Sequence, residues 1–75
     1  VKSLIEFIAK SLVDDPTEVW VSEEARGREI HFELTVAEED MGRVIGRGGR
    51  VANAMRTLLR VAAIRSGKHA SLDIN

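Results

Sequence analysis

The sequence predicts an α+β domain of element order α-β-β-α-α-β, with a three-stranded sheet packed against helices. Two observations predict it. Apolar residues recur first at helical spacing, then in two alternating runs, then, after a short helix signalled by three carboxylates, at helical spacing again, and finally in a last alternating run. In addition, the two later helices are separated only by Gly46-Arg47-Gly48-Gly49, where three glycines in four residues leave almost no loop. Seventy-five residues are read as one domain, 1–75, because either half alone would bury too little apolar surface to offset its chain entropy.

The elements follow in order. Leu4, Ile5, Ile8 and Leu12 lie at helical spacing, and Asp14-Asp15-Pro16 stops the pattern because a residue preceding proline is pushed out of the helical region. The first helix is therefore placed at 2–13. From Glu18 to Glu24, Val19 and Val21 alternate with Trp20 and Ser22 as a short strand, and Ala25-Arg26-Gly27-Arg28 supplies a turn. Ile30, Phe32, Leu34 and Val36 then alternate with His31, Glu33 and Thr35, so one face of this second strand is buried. Glu38-Glu39-Asp40 suits the positive end of a short helix over 38–45, which the glycines terminate. Val51, Ala54, Met55, Leu58, Leu59 and Ala62 are read as the apolar stripe of the longest helix, with Gly67 as its stop near residue 66. Ala70, Leu72 and Ile74 alternate with Ser71 and Asp73 as the last strand.

Composition narrows the function classes. At 44% hydrophobic and 31% charged residues, the chain is an ordinary globule and not a disordered segment. It contains no cysteine, which removes disulfides, thiolate catalysis and cysteine-based zinc sites. No apolar run approaches the roughly 18 residues of a membrane span, so no membrane is expected and the cytoplasm is the expected location. The net charge of −1 conceals a division along the chain. Residues 1–40 hold 4 basic and 11 acidic residues, a net −7, whereas residues 41–75 hold 7 basic and 1 acidic, a net +6. Arg43, Arg47, Arg50, Arg56, Arg60, Arg65 and Lys68 all fall in a stretch without a carboxylate between Met41 and Leu72, which suits an anionic partner.

The glycine segment is where that partner is expected. Gly46 and Gly49 can adopt positive φ without a Cβ clash, so the chain can turn sharply and lay bare backbone against a sugar-phosphate strand. The following helix directs free N–H groups and its positive end at the same place. Arg47 and Arg50 add fixed charge and forked donors suited to phosphate.

Val44-Ile45-Gly46-Arg47-Gly48-Gly49-Arg50, set between two helices, resembles the GxxG loop of KH domains. The element order is similar to the type II KH arrangement, with the additional helix and strand at the N-terminus. The resemblance extends to the small bacterial KhpA family, through the run from Asp40 to Ala52 and then Ala54-Met55-Arg56-Thr57-Leu58, over a chain of matching length. It implies that the loop clamps about four single-stranded nucleotides while bases lie in an apolar groove. The implied RNA-binding residues are Arg43, Val44, Ile45, Gly46, Arg47, Gly48, Gly49 and Arg50, with bases over Val44 and Ile45 toward the second strand. It further implies an RNA chaperone that works with a second KH protein, KhpB, and is linked to cell-envelope synthesis and cell shape. Ala52 is smaller than the aliphatic residue many KH domains carry there, and Gly48 leaves one basic variable residue in the loop, so modest affinity and little sequence selectivity are expected.

The remaining residues admit plainer readings. Arg56 and Arg60 either add to the anion site or belong to a solvated helix face opposite Met55 and Leu58. Trp20 is expected to be buried in the core or an interface, and His31 and His69 to be exposed beside strands with no metal-ligand spacing. Thr57, Val61 and Ile64 form a helix flank suited to a dimer, with itself or with the second KH protein. The rival function is thus an interaction module whose partner supplies most RNA binding. An enzyme is not expected and neither is a cofactor. The glycines match neither the P-loop nor the dinucleotide fingerprint, and no activated nucleophile or carboxylate pair stands near them.

Overall fold

The computed structural model describes residues 1–75. Helix α1 spans Lys2–Leu12, strands β1 and β2 span Trp20–Arg26 and Glu29–Thr35, helices α2 and α3 span Met41–Ile45 and Arg50–Arg65, and strand β3 spans His69–Ile74. The order is the α-β-β-α-α-β of the sequence reading. The sheet runs β1-β2-β3, with β1 antiparallel to β2 and β2 parallel to β3. A two-residue turn at Gly27-Arg28 is enough for the antiparallel pair, whereas the parallel pair needs a long crossover. That crossover holds α2, the glycine loop and α3.

Strand alternation decides which face the helices cover. Phe32 and Leu34 of β2 stand opposite Leu72 and Ile74 of β3, and Val21 stands opposite Leu34, so all of these point to one side. With Ile5 and Ala9 of α1, Val44 of α2, and Met55 and Leu59 of α3, they form the core, into which Val19 and Val36 also pack. The other face of the sheet is open. There His31 bridges to Ser71 Oγ at 2.7 Å and Asp73 Oδ2 at 3.2 Å.

Three expectations are corrected. Residues Pro16–Glu18 form a 3-10 turn, which shifts β1 two residues toward the C-terminus, and Trp20, opposite in direction to Val21, lies on the open face at 67% exposure, which removes the core as its place. The buried stripe of α3 is Ala52, Met55, Leu59 and Ala63, while Ala54 and Leu58 are exposed. Met55 and Leu59 are shared with the expected stripe, so the buried row is shifted toward Ala52 and Ala63, and Val51 and Ala62 lie half-buried at its border. The segment expected as one helix over 38–45 is a 3-10 turn, Glu38–Asp40, followed by α2, and no acidic side chain caps it. Asp40 is buried and points away from the helix end. It accepts hydrogen bonds from the backbone N–H groups of Asp14 (3.0 Å) and Asp15 (3.1 Å), which ties the turn after α1 to the start of α2.

Candidate nucleic-acid interface

Helix α2 is a single turn and a half, anchored by Val44, which is fully buried. Its last residue, Ile45, is partly exposed at the rim, and the Gly46 N–H closes the helix on the Gly42 carbonyl at 2.9 Å. Gly46 has φ 75° and ψ 169°. A Cβ on it would stand 2.6 Å from Val51 Cγ2 and 2.9 Å from the Val51 backbone nitrogen, so two separate constraints demand glycine here. The chain passes through one 3-10 turn, Arg47–Gly49, in which Gly48 and Gly49 are left-handed, and α3 starts at Arg50. Helix α2 therefore ends almost against the first turn of α3, whose initial N–H groups lack intrahelical acceptors.

The charges around this corner differ in what they face. Arg43 donates to Asp14 Oδ2 at 3.0 Å and lies 3.6 Å from Asp40 Oδ1, so its guanidinium is held within the fold. Arg47 and Arg50 are exposed, and the ion pairs of the chain involve only Arg26, His31 and Arg43 among its cations. Their charge is directed at solvent next to the start of α3.

A groove leads away from the corner. Asn53 follows Gly49 by one helical turn, and Arg56 Nη1 donates to Asn53 Oδ1 at 3.3 Å while its Nε donates to the Leu72 carbonyl of β3 at 3.2 Å. Beyond them a depression lined by Arg56, Leu59, Arg60, Ala70, Ser71 and Leu72 separates α3 from β3, whose outer edge pairs with no strand. Open strand-edge groups and an apolar floor beside fixed cations can hold flat, hydrogen-bonding rings and the phosphates between them.

Of the residues expected at the site, Ile45, Gly46, Arg47, Gly48, Gly49 and Arg50 come together at the corner. Val44 does not face it: its side chain is in the core and props the loop from beneath, so it cannot receive a base. Arg43 is next to the corner but ion-paired. Sequence reasoning missed Asn53 and the edge of β3, and left Arg56 undecided. The helical run Gly49, Asn53, Arg56, Arg60 was a visible signal, being one face at spacings of four, three and four. Which strand that face meets is set by the parallel pairing, and this is not legible from spacing.

An α-β-β-α-α-β fold with a glycine turn joining its two central helices is a KH domain of the type II order. A family model described as "KhpA/KhpB, KH domain" matches residues 2–74, and the chain belongs to that family. It is similar to proteins named RNA-binding protein KhpA. That of Clostridium acetobutylicum is 52% identical over 97% of this chain and 97% of its own length. The relative from Halalkalibacterium halodurans is 47% identical over 97% and 96%, and that of Listeria monocytogenes is 41% identical over the same shares. No solved structure matches the chain. The family is one of KH-domain proteins whose named members are RNA-binding proteins, and it is not an enzyme family.

Proposed function

We propose that this chain binds single-stranded RNA through the Gly46–Gly49 loop, as one KH domain over residues 1–75. The observation that carries the reading is the pair Arg47 and Arg50, exposed and unpaired beside the start of a sixteen-residue helix. Phosphates lie on the loop N–H groups and on these two guanidinium groups, and bases pass over Ile45 into the groove at Asn53 and Arg56. Val44 acts only as the buried support. The protein works in the cytoplasm as an RNA chaperone together with a second, KhpB-like KH protein and contributes to envelope synthesis and cell shape, which rests on the family resemblance alone.

The test is fluorescence anisotropy with a short unstructured RNA, comparing the intact protein with Arg47→Asp/Gly48→Asp. A Cβ at Gly48 meets nothing within 4 Å and aspartate tolerates left-handed backbone, so the variant keeps its fold by circular dichroism. Binding weaker by at least about tenfold is expected, since an arginine-phosphate contact becomes a repulsion. Equal binding by both proteins rules the loop out.

A second reading has its own observation. Val61 and Ile64 are 50% and 67% exposed, and with Thr57 they form the outward ridge of α3, clear of the core, with Ile64 also bordering the depression beside Arg60. This ridge is a dimer surface, for a second copy or for the KhpB-like protein. Val61→Asp is expected to reduce the sedimentation coefficient of an assembled species; unchanged sedimentation and partner binding exclude the ridge.

A further inference from the structure

We infer that the groove continues past the four-nucleotide clamp into a second phosphate subsite, formed by Arg60 and Lys68 at the far end of α3, with His69 at its rim. The inference rests on the loop reading above and extends it along the molecule. Arg60 and Ala70 border both the depression beside Arg56 and a further one lined by Arg60, Ile64, Lys68, His69 and Ala70, so the two are continuous. Arg60 lies eleven residues beyond Gly49 on the same helix face, roughly 16 Å along the axis. A strand entering at the loop therefore has a cationic track longer than the loop itself.

The end of the track is built by the helix terminus. Gly67, at φ 69°, donates to the Ile64 carbonyl and Lys68 N–H to the Ala63 carbonyl, both at 2.9 Å, which is a complete Schellman cap. The cap reverses the chain so that Lys68 returns beside Arg60 at the start of β3, with His69 at the rim, where its register opposite Glu29 turns it to the open face. Arg60 and Lys68 have no carboxylate within ion-pairing distance, and residues 41–72 contain none. Ile64 and Ala70 supply apolar walls, so the subsite takes a phosphate with one side of its nucleoside against a hydrophobic surface.

The experiment compares a four-nucleotide and an eight-nucleotide oligouridylate on the intact protein and on Lys68→Gln/His69→Gln, by anisotropy at several salt concentrations. Alternative registers alone make the longer RNA bind about fivefold better, because four-nucleotide windows fit it in five ways. A larger gain is expected for the intact protein, with a salt slope steeper by about 0.7 for each added phosphate neutralised. In the variant the gain should fall toward the statistical factor while the four-nucleotide RNA binds as before. Equal slopes for the two lengths, or a gain that survives the substitutions, overturns the subsite. If the four-nucleotide RNA does not bind even at low salt, the loop reading itself fails and the subsite with it.

Discussion

At Gly46 one hydrogen atom in place of a methyl group decides how close two helices lie. Gly46→Ala places a carbon within 3 Å of the Val51 backbone at a positive φ, so either α3 moves or the loop opens. A loss of about 1–3 kcal/mol is expected, read as a fall in thermal midpoint of several degrees, whereas Gly48→Ala, with open space around it, should cost about 1 kcal/mol. The neighbouring pair Val44 and Ile45 separates support from contact. Val44→Ala should cost stability through a core cavity, while Ile45→Ser should leave stability nearly intact and weaken RNA binding. Consecutive residues of a helix point about 100° apart, so a motif that spans both cannot have both facing a ligand. Asp40 is the other residue whose part differs from its sequence appearance. Three adjacent carboxylates look like a helix-end signal, yet one of them is buried and receives two backbone N–H groups from 25 and 26 residues away. Asp40→Ala is expected to cost about 2–3 kcal/mol by leaving those donors without an acceptor, measured by urea unfolding. The Arg43–Asp14 pair, mostly exposed on both sides, contributes at most about 1 kcal/mol.

Helix α3 shows what periodicity reveals and what it leaves ambiguous. Its position and its glycine stop were legible, because sixteen residues without proline or internal glycine contain apolar residues at helical spacing. Its orientation was not. Met55 and Leu59 belong to either row, and spacing alone leaves open whether Val51, Ala54, Leu58 and Ala62 or Ala52 and Ala63 complete it; the structure buries the second pair. Ala52→Leu tests that choice. Overpacking between α3 and the sheet should cost about 1–3 kcal/mol, although a leucine-rich stripe would look better in the sequence alone. The same orientation sends Arg56 toward β3, where it reaches both the Leu72 carbonyl and Asn53. The buried face of each strand was easier to read than the helix orientation, because period-two alternation leaves only two faces to choose between.

The whole molecule carries its charge unevenly, and this was legible from counting alone. The open face of the sheet presents Glu24, Glu29, Glu33 and Asp73, while the cations of the second half gather on the loop and along α3. Such a molecule orients an approaching polyanion before contact, so the association rate should fall with salt more steeply than the dissociation rate rises, measurable by stopped flow. Trp20 stands on that acidic face, and as the one tryptophan of the chain it should report unfolding through its emission with little response to RNA at the loop. What counting could not supply is the pairing of β3 with β2, a contact between residues about forty apart that neither alternation nor composition specifies.

That parallel pairing also has a consequence for how the protein comes into being. The groove has α3 as one wall and β3 as the other, and β3 follows both the loop and α3 in the chain. During synthesis the loop, with its arginines and glycines, emerges before the strand that completes the site. A nascent chain halted short of residue 69 would display the positive charge without the shape, and would hold RNA as an unfolded basic segment does, by charge alone. Completion of β3, six residues long, converts attraction into recognition, because the second wall of the groove is supplied after its charge.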